Sequence, residues 1–401
     1  MRPEPGQSNV GPLTHRIDFV DGIRAVAAMY VVVHHVWLTT HPDYLTEAGS
    51  PALQWLAYGY VAVAVFIVVS GFSLSISPAR HGWRLGNGST EFFRRRAWRI
   101  LPTYYAAMVL SCLVFGLVTP AQTGDLISAK AVVVHALLVQ DAIDSPDLNA
   151  TFWSIAVECQ IYLFFPFFLL FVRRWGVWRL VVLVSGSVIV AYLVAGKVSL
   201  LHPIINLTPQ FGALFVMGMA AGRVLSHGPV RRPRVLVVTS AVLFAAFVTL
   251  CASLSIDRVE RSYFWITFLV GGATACLIAA LTLGRLTWLR RLLASRALSG
   301  VGLFSYTIYL VHLPVLWLLW HFVVEPSGLG VPGRFALLLA LCVPAVIAFS
   351  YLFSLAFERP FLTHRTFRSS LDLVLRRGRT HPVPQEEVDA HPATRPADVA
   401  P

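Results

Sequence analysis

Apolar residues along this chain group into ten runs of helical length, separated by polar connections. A helix needs about 20 predominantly apolar residues to cross a bilayer. The pattern therefore predicts an all-α, polytopic membrane protein with about ten transmembrane helices. A further apolar run, 130–140, is too short to cross and is expected to be interfacial or re-entrant. The predicted spans are 18–38, 56–77, 102–119, 152–172, 178–196, 207–225, 235–254, 263–283, 302–323 and 334–356.

The polar connections alternate in charge along the chain. Arginines are concentrated in 78–101, 173–177, 226–234 and 284–301, which fall on one side of the predicted membrane. Connections on the other side are short or acidic. Because cytoplasmic loops carry the excess of Lys and Arg, this alternation predicts that both termini are cytoplasmic.

The same pattern predicts three parts of the chain. Residues 1–16 are polar and proline-containing and are expected to form a disordered cytoplasmic N-terminus. Residues 17–360 are expected to form the transmembrane domain. Residues 361–401 become rich in proline and charge, and are expected to form a cytoplasmic, largely disordered tail.

Composition supports a membrane protein and argues against one alternative class. The chain is 56% hydrophobic and 13% charged, whereas soluble globular proteins are about 25% charged. The net charge of +12 would suit nucleic-acid binding, but the basic residues lie between apolar runs. That distribution is typical of cytoplasmic loops, so no nucleic-acid partner is expected.

The first span carries Arg24 and His35, which are eleven positions apart in an otherwise mostly apolar segment. An arginine near the membrane centre costs about 2.5–3.5 kcal/mol on insertion scales, so it is rarely there without a task. At about 100° per residue the two side chains share one helix face, roughly 16 Å apart along the axis. His34 is rotated by about 80° and is expected to be a packed or interfacial histidine. No metal site is expected, because no carboxylate or cysteine lies nearby at ligand spacing.

Four arginines, Arg94, Arg95, Arg96 and Arg99, immediately precede the third span, whose start is set by Pro102. Each alone is well explained as a cytoplasmic anchor. Together they make a good anion site, because guanidinium groups bind phosphate oxygens in pairs.

Ser70 and Gly71 lie near the cytoplasmic end of the second span. Glycine in a span most often allows close helix packing. The functional alternative is that Gly71 lets the backbone approach a ligand.

In the fourth span Ser154, Glu158 and Tyr162 are spaced i, i+4 and i+8 and share a face. A structural ion pair would explain the carboxylate. Its depth suggests a functional role, because Glu158 lies about 9 Å and His35 about 5 Å below the outer boundary at about 1.5 Å per residue. The two side chains are therefore expected to be able to meet.

A row of Tyr306, Tyr309 and His312 runs into the middle of the ninth span. Tyrosines near a membrane edge often form an aromatic belt. Because this row continues inward, we interpret it as a polar stripe that faces an internal cavity. Glu358 is expected to cap the tenth span.

Five motifs taken in order resemble the acyltransferase-3 family of integral-membrane O-acyltransferases, which includes macrolide acyltransferases and enzymes that O-acetylate surface polysaccharides. The resemblance extends from about Asp21 to Pro360. The motifs are Asp21-Gly22-Ile23-Arg24 with the spacing to His35, Ser70-Gly71-Phe72, Arg96-Ala97-Trp98-Arg99-Ile100-Leu101-Pro102, Trp153-Ser154-Ile155-Ala156-Val157-Glu158 and Tyr306-Thr307-Ile308-Tyr309-Leu310-Val311-His312.

The resemblance implies an acyl-coenzyme A co-substrate, no permanently bound cofactor, and an essential pair formed by Arg24 and His35. It also implies a multi-pass protein of a bacterial plasma membrane. The acceptor would be a hydroxyl on a sugar, glycan or glycosylated natural product, and the transferred group a short acyl such as acetyl. A multispan transporter and a non-catalytic scaffold remain the alternatives.

Geometry and resemblance together suggest roles for the individual residues. The phosphates of coenzyme A are expected to bind the cytoplasmic arginines, which would bring the thioester near His35. His35 is expected to act as the general base. A covalent acyl-histidine intermediate is the alternative. Glu158 is expected to orient His35. The acyl-coenzyme A site would comprise Arg24, Arg95, Arg96, Arg99, Ser70 and Gly71, and the acceptor or supporting residues would be Ser154, Trp153, Tyr162, Tyr306, Tyr309 and His312.

Overall fold

A computed structural model describes residues 17–43, 53–118, 127–143, 145–198, 207–225 and 232–363. All regular secondary structure within these ranges is helical, and nine of the helices are long and apolar enough to cross a membrane. The predicted polytopic all-α fold is confirmed. The predicted N-terminal segment 1–16 and the tail beyond residue 363 lie outside the described residues.

Most helices follow the predicted spans closely, and two elements are shorter. The third span is an exception, because its helix, Gly88–Leu113, begins well before residue 102, so Pro102 lies inside the helix and does not set its start. Span 207–225 becomes a shorter apolar helix over Gln210–Leu225, and the run 130–140 forms only eight helical residues. We number the helices α1 Asp18–Thr40, α2 Ala62–Arg80, α3 Gly88–Leu113, α4 Ala129–Ala136, α5 Phe152–Trp175, α6 Val177–Ala195, α7 Gln210–Gly222, α8 Pro233–Ser253, α9 Ile256–Arg261, α10 Tyr263–Thr282, α11 Thr287–Leu293, α12 Arg296–Gly302, α13 Ser305–Leu319, α14 Val331–Phe357 and α15 Arg359–Thr363.

Burial separates the inner helices from those that face lipid. The most apolar windows of α1 and of the helix containing α2 are 67% buried, whereas those of α6 and α8 are 11% and 17% buried. In a membrane an exposed apolar helix face contacts acyl chains, so α6 and α8 belong to the periphery. Polar side chains on α1 and α2 therefore lie inside the bundle.

Glycines bring α2 and α7 into close backbone contact. A Cβ on Gly71 would overlap the carbonyl of Phe215, and a Cβ on Gly218 would overlap the carbonyl of Val68. Such small residues let membrane helices pack tightly. This contact favours the packing interpretation of Gly71 over the ligand-contact one, because another helix occupies the space beside its backbone.

The N-terminal end of α1 is held in the same way. Gly22 packs against the Leu293 carbonyl at the end of α11, and Gly302 of α12 packs against the Asp21 carbonyl. Since neither glycine has room for a side chain, the position of α1 against α11 and α12 is tightly defined. This contact positions Asp21 and Arg24 at the mouth of the internal cavity described below.

Candidate active site

A cavity of about 410 Å³ lies between α1, α2, α3, α5 and α13. Its size falls within the range of about 300–1,000 Å³ that is typical of small-molecule sites. Apolar side chains such as Phe66 and Ile67 line part of it. Its charged lining consists of three arginines and three carboxylates, Arg24, Arg96, Arg99, Asp21, Glu158 and Glu358.

Arg24 is fixed by two side-chain partners at the cavity wall. Its guanidinium donates to Asp21 Oδ1 at 3.0 Å and to Ser73 Oγ at 2.8 Å. The ion pair with Asp21 compensates part of the cost of placing an arginine inside the bundle. Ser73 was missed by the sequence motifs, although it lies three residues after Ser70.

The arginine cluster of α3 divides between two faces of the helix. Arg94 and Arg95 both bond Glu91, with Arg95 Nε at 2.5 Å from Glu91 Oε1. Neither lines the cavity, whereas Arg96 and Arg99, one turn apart, both do. The expectation that Arg95 contributes to the donor site is therefore not supported, because its side chain is committed to an ion pair outside the cavity.

Arg96 is left with unused hydrogen-bonding capacity inside the bundle. Its buried Nε has no partner within the described residues. A buried N–H without a partner costs about 1–3 kcal/mol. Arg96 therefore lines the cavity with part of its hydrogen-bonding capacity unused.

Glu158 forms a hydroxyl network in the cavity instead of meeting His35. The Tyr162 hydroxyl donates to Glu158 Oε1, and Ser70 Oγ lies 2.8 Å from the Tyr162 hydroxyl. The predicted contact between Glu158 and His35 is absent from the described residues. Tyr162 lies one turn along α5 on the same face, so it reaches the carboxylate before any group on α1 does.

The tyrosine row on α13 faces the cavity as predicted. Tyr309 is 2.7 Å from Ser154 Oγ, and the Tyr306 hydroxyl donates to the Ile100 carbonyl at 3.1 Å. Both tyrosines and Ser154 line the cavity. Trp153 does not; its ring packs 5.7 Å from that of Phe211.

Glu358 is the C-cap residue of α14, as expected, and its side chain also faces the cavity. It is 4% exposed, lines the cavity, and accepts a hydrogen bond from Thr307 Oγ1 at 2.5 Å. Burial raises the pKa of the Glu358 carboxyl, and the Thr307 hydrogen bond opposes that change. This carboxyl faces the same cavity as the arginines, a role that its position just after α14 did not indicate.

His35 pairs with His312 beyond the deep end of the cavity. His35 Nδ1 is 2.9 Å from the Val31 carbonyl and 3.2 Å from His312 Nε2. His312 Nδ1 lies 3.1 Å from the Ile308 carbonyl and 2.8 Å from the Tyr309 carbonyl. Tyr309 thus joins the cavity lining to the histidine pair.

The carbonyl partners define which nitrogen of each ring carries the proton. A carbonyl only accepts, so Nδ1 of His312 is the N–H donor and its Nε2 is an acceptor in the neutral ring. By the same reasoning His35 Nδ1 is protonated and is shared between Val31 and His312. The remaining nitrogen, Nε2 of half-buried His35, has no partner within the described residues and carries a free lone pair.

His34 is a packed histidine, as expected from its rotation away from His35. Its Nδ1 lies 2.8 Å from the Leu56 carbonyl, and its side chain fills the space beside Gly59. Next to it are Tyr60 and Tyr263, whose buried hydroxyls lack partners within the described residues. No sequence motif pointed to these two tyrosines.

The sequence is similar to known acyltransferases over most of its length. Residues 17–355 match a family model described as an acyltransferase domain. The acyltransferase MdmB of Streptomyces mycarofaciens is 28% identical over 327 residues, covering 76% of this chain and 80% of that protein. A putative peptidoglycan O-acetyltransferase, YrhL, of Bacillus subtilis is 28% identical over 383 residues, covering 88% of this chain and 56% of YrhL. No solved structure gives a significant match.

The chain therefore spans most of MdmB but only about half of YrhL. The matched range contains Arg24, His35 and His312, so the histidine pair and most of the cavity lining lie inside the family domain; Glu358 and Leu362 follow just after it. The nine long apolar helices found among the described residues agree with a multi-pass integral membrane protein. The chain belongs to the acyltransferase-3 family of membrane-embedded acyltransferases.

Proposed function

We propose that this protein is an O-acyltransferase that moves a short acyl group from acyl-coenzyme A to a hydroxyl of a sugar or glycosylated acceptor, with His35 as general base. The observation that carries the proposal is the free Nε2 lone pair of His35, held beside a cavity with three arginines in its lining. Family membership supports acyl transfer, and the donor, base and acceptor are the proposed parts.

The cavity has the right chemistry for the donor. Arg24, Arg96 and Arg99 would contact the phosphates of coenzyme A at the mouth, where guanidinium groups bind phosphate oxygens strongly. Ser154 and Tyr309 line the opposite part, next to the histidine pair. The pantetheine arm would extend from the arginines towards His35, along the face of α1.

The balance of charge explains why the cavity can exist without ligand. Three carboxyl groups accompany the three arginines in the lining, and they offset part of the cost of burying the guanidinium groups in the free protein. Phosphates arriving at the mouth would compete with these carboxylates for the guanidinium groups. Asp21 is the nearest competitor for Arg24 because it already forms an ion pair with it.

The chemical step needs one proton acceptor and one leaving group. His35 Nε2 would take the proton from the acceptor hydroxyl as the oxygen attacks the thioester carbonyl. The carbon–sulfur bond then breaks, and the imidazolium returns the proton to the departing thiolate. His312 Nε2, accepting from His35 Nδ1–H, would stabilise the charge that His35 carries in between. Such general-base catalysis is typically worth about 10²–10⁴-fold.

The names of the relatives support an O-linked acceptor. YrhL is named as a putative peptidoglycan O-acetyltransferase, and the OatA of Listeria monocytogenes, 25% identical over 168 residues, as a peptidoglycan O-acetyltransferase. Peptidoglycan is a glycan, so we extend a sugar-bearing acceptor to this chain.

The proposal is tested with purified protein in lipid nanodiscs. Radiolabelled acetyl-coenzyme A is incubated with a panel of sugars, glycan fragments and glycosylated macrocycles, and labelled ester is measured. We expect ester formation with wild type and a loss of about 10²–10⁴-fold with His35→Gln. His41→Gln, at the residue that follows α1 and away from His312, is the control and should retain activity. Full activity of folded His35→Gln would refute the assignment of the base.

A further inference from the structure

A second groove, of about 1310 Å³, opens on one face of the bundle, away from the histidine pair. It lies between the end of α2, the connection from α5 to α6, and the residues that follow α7. None of its lining residues lines the first cavity. The proposed acyl transfer therefore gives this groove no role.

The charged lining of the groove is entirely basic. Among the lining residues there are six arginines and one histidine, and no aspartate or glutamate. Arginines at or next to the ends of four helices, α2, α5, α6 and α7, share one groove, which is more specific than a dispersed excess of positive charge. The six are Arg80, Arg84, Arg173, Arg174, Arg179 and Arg223.

The turn between α5 and α6 concentrates three of these arginines. A single residue, Gly176, separates the two helices, and its φ of +87° is one that other residues rarely adopt. The sharp turn brings Arg173 and Arg174 at the end of α5 next to Arg179 in the first turn of α6. All three are exposed and none forms an ion pair within the described residues.

Exposed tryptophans flank the basic groove. Trp175 and Trp178 also line it and are 51% and 59% exposed. Indole rings are enriched at membrane–water interfaces, where one part contacts headgroups and another contacts acyl chains. Helix α6, which starts here, continues as one of the least buried helices of the bundle. The groove therefore joins a basic surface to a lipid-facing helix.

We propose that this groove is a binding site for the headgroup of an anionic phospholipid. The arginines would hold the phosphodiester in paired hydrogen bonds, Trp175 and Trp178 would lie at the glycerol level, and the acyl chains would follow the exposed face of α6. A soluble phosphate would use the arginines but not the tryptophans or the apolar face. The proposal is independent of the acyl-transfer reaction.

The test compares the full chain in nanodiscs of phosphatidylcholine alone with nanodiscs containing 20% phosphatidylglycerol or cardiolipin. Retained lipid is counted by native mass spectrometry, and the unfolding temperature is measured in parallel. Each basic residue near the surface is worth about 1 kcal/mol towards an anionic lipid, about a fivefold change in affinity. The combined change Arg173→Gln, Arg174→Gln and Arg179→Gln should therefore weaken retention on the order of 100-fold.

A matched control removes the same charge from the same face. Arg285, Arg290 and Arg291 are exposed arginines of the α10–α11 connection and α11, outside the groove. Their combined change to Gln should leave retention of anionic lipid within about threefold of wild type. An equal loss in both triple variants would overturn the proposal, because it would mean that only the general charge of this face attracts the lipid.

A charge-conserving variant covers the case in which the Gln variant fails to insert. Changing Arg173, Arg174 and Arg179 to Lys keeps the positive charge but removes the guanidinium fork. We expect correct insertion and a roughly 5- to 20-fold weaker retention; wild-type retention would overturn the paired hydrogen bonds. Inorganic phosphate is then added at millimolar concentration as a competitor. If it displaces the lipid fully, the proposed role of the acyl chains and tryptophans is overturned.

Discussion

Replacing His312 tests whether this residue orients His35, the proposed base. His35 Nδ1–H is shared between two hydrogen-bond acceptors: His312 Nε2 at 3.2 Å and the Val31 carbonyl at 2.9 Å. His312→Phe removes one of these two acceptors and leaves the other. One neutral hydrogen bond is worth about 0.5–1.5 kcal/mol net, so kcat should fall about 2- to 13-fold. This loss is far smaller than the 10²–10⁴-fold expected for His35→Gln.

The direction of the hydrogen bonds predicts more than the size of the loss. His312→Gln offers a side-chain oxygen that can still accept from His35, so its kcat should lie between those of wild type and His312→Phe. The KM for acetyl-coenzyme A should be unchanged in both, because His312 does not line the arginine cavity. A purely structural role would not give this rescue or this separation of kcat from KM.

The assay is the initial rate of labelled ester formation in nanodiscs, with kcat and KM determined for each variant. His312 is fully buried, so circular dichroism and the unfolding temperature confirm that each variant is folded before rates are compared. A fall of 10²-fold or more in His312→Phe, together with a few-fold loss in His35→Gln, would assign the base to His312 and refute the reasoning.

Three further predictions concern the cavity, the glycine contacts and the buried histidine of α4, His135. Arg96→Gln should raise the KM for acetyl-coenzyme A about tenfold with little change in kcat, and Arg95→Gln should leave it unchanged because that side chain bonds Glu91. Gly71→Ala should lower the free energy of unfolding by about 1–3 kcal/mol through overlap, whereas Gly186→Ala, with open space around it, should not; thermal melts compare the two. Burial lowers the pKa of His135, so the unfolded chain binds this proton at higher pH, and stability should fall as pH drops below about 6.5. His135→Gln should flatten that part of the pH–stability curve, and an unchanged slope would contradict the prediction.

Local periodicity identified the site residues of α1, α5 and α13 but misassigned one contact. Spacing of four placed Ser154, Glu158 and Tyr162 on one face, and they do share the cavity. Depth along the membrane then suggested that Glu158 meets His35. Depth carries no information about how the helices are rotated against one another. In the structure the Tyr162 hydroxyl, one turn away on the same helix, donates a hydrogen bond to the Glu158 carboxylate.

The arginine cluster illustrates a second limit. Adjacent positions on a helix differ by about 100°, so neighbouring arginines must point in different directions. The sequence cannot tell which of Arg95 and Arg96 faces inward until α5 and α13 are packed against α3. Arg95 turned to Glu91, and Arg96 turned to the cavity with a free Nε. Gly71 was ambiguous for the same reason, since its neighbour could be a ligand or a helix.

By itself, the sequence determined the membrane class, the spans and the polar residues that could carry chemistry. Long apolar runs and rare buried charges are local properties, and a bilayer imposes the same constraint on each segment separately. Only the tertiary structure decided that His35 pairs with His312, that Arg96 and Arg99 join Arg24, and that Gly71 contacts α7. Those contacts depend on how helices distant in sequence are rotated against one another, and that rotation results from packing over the whole bundle.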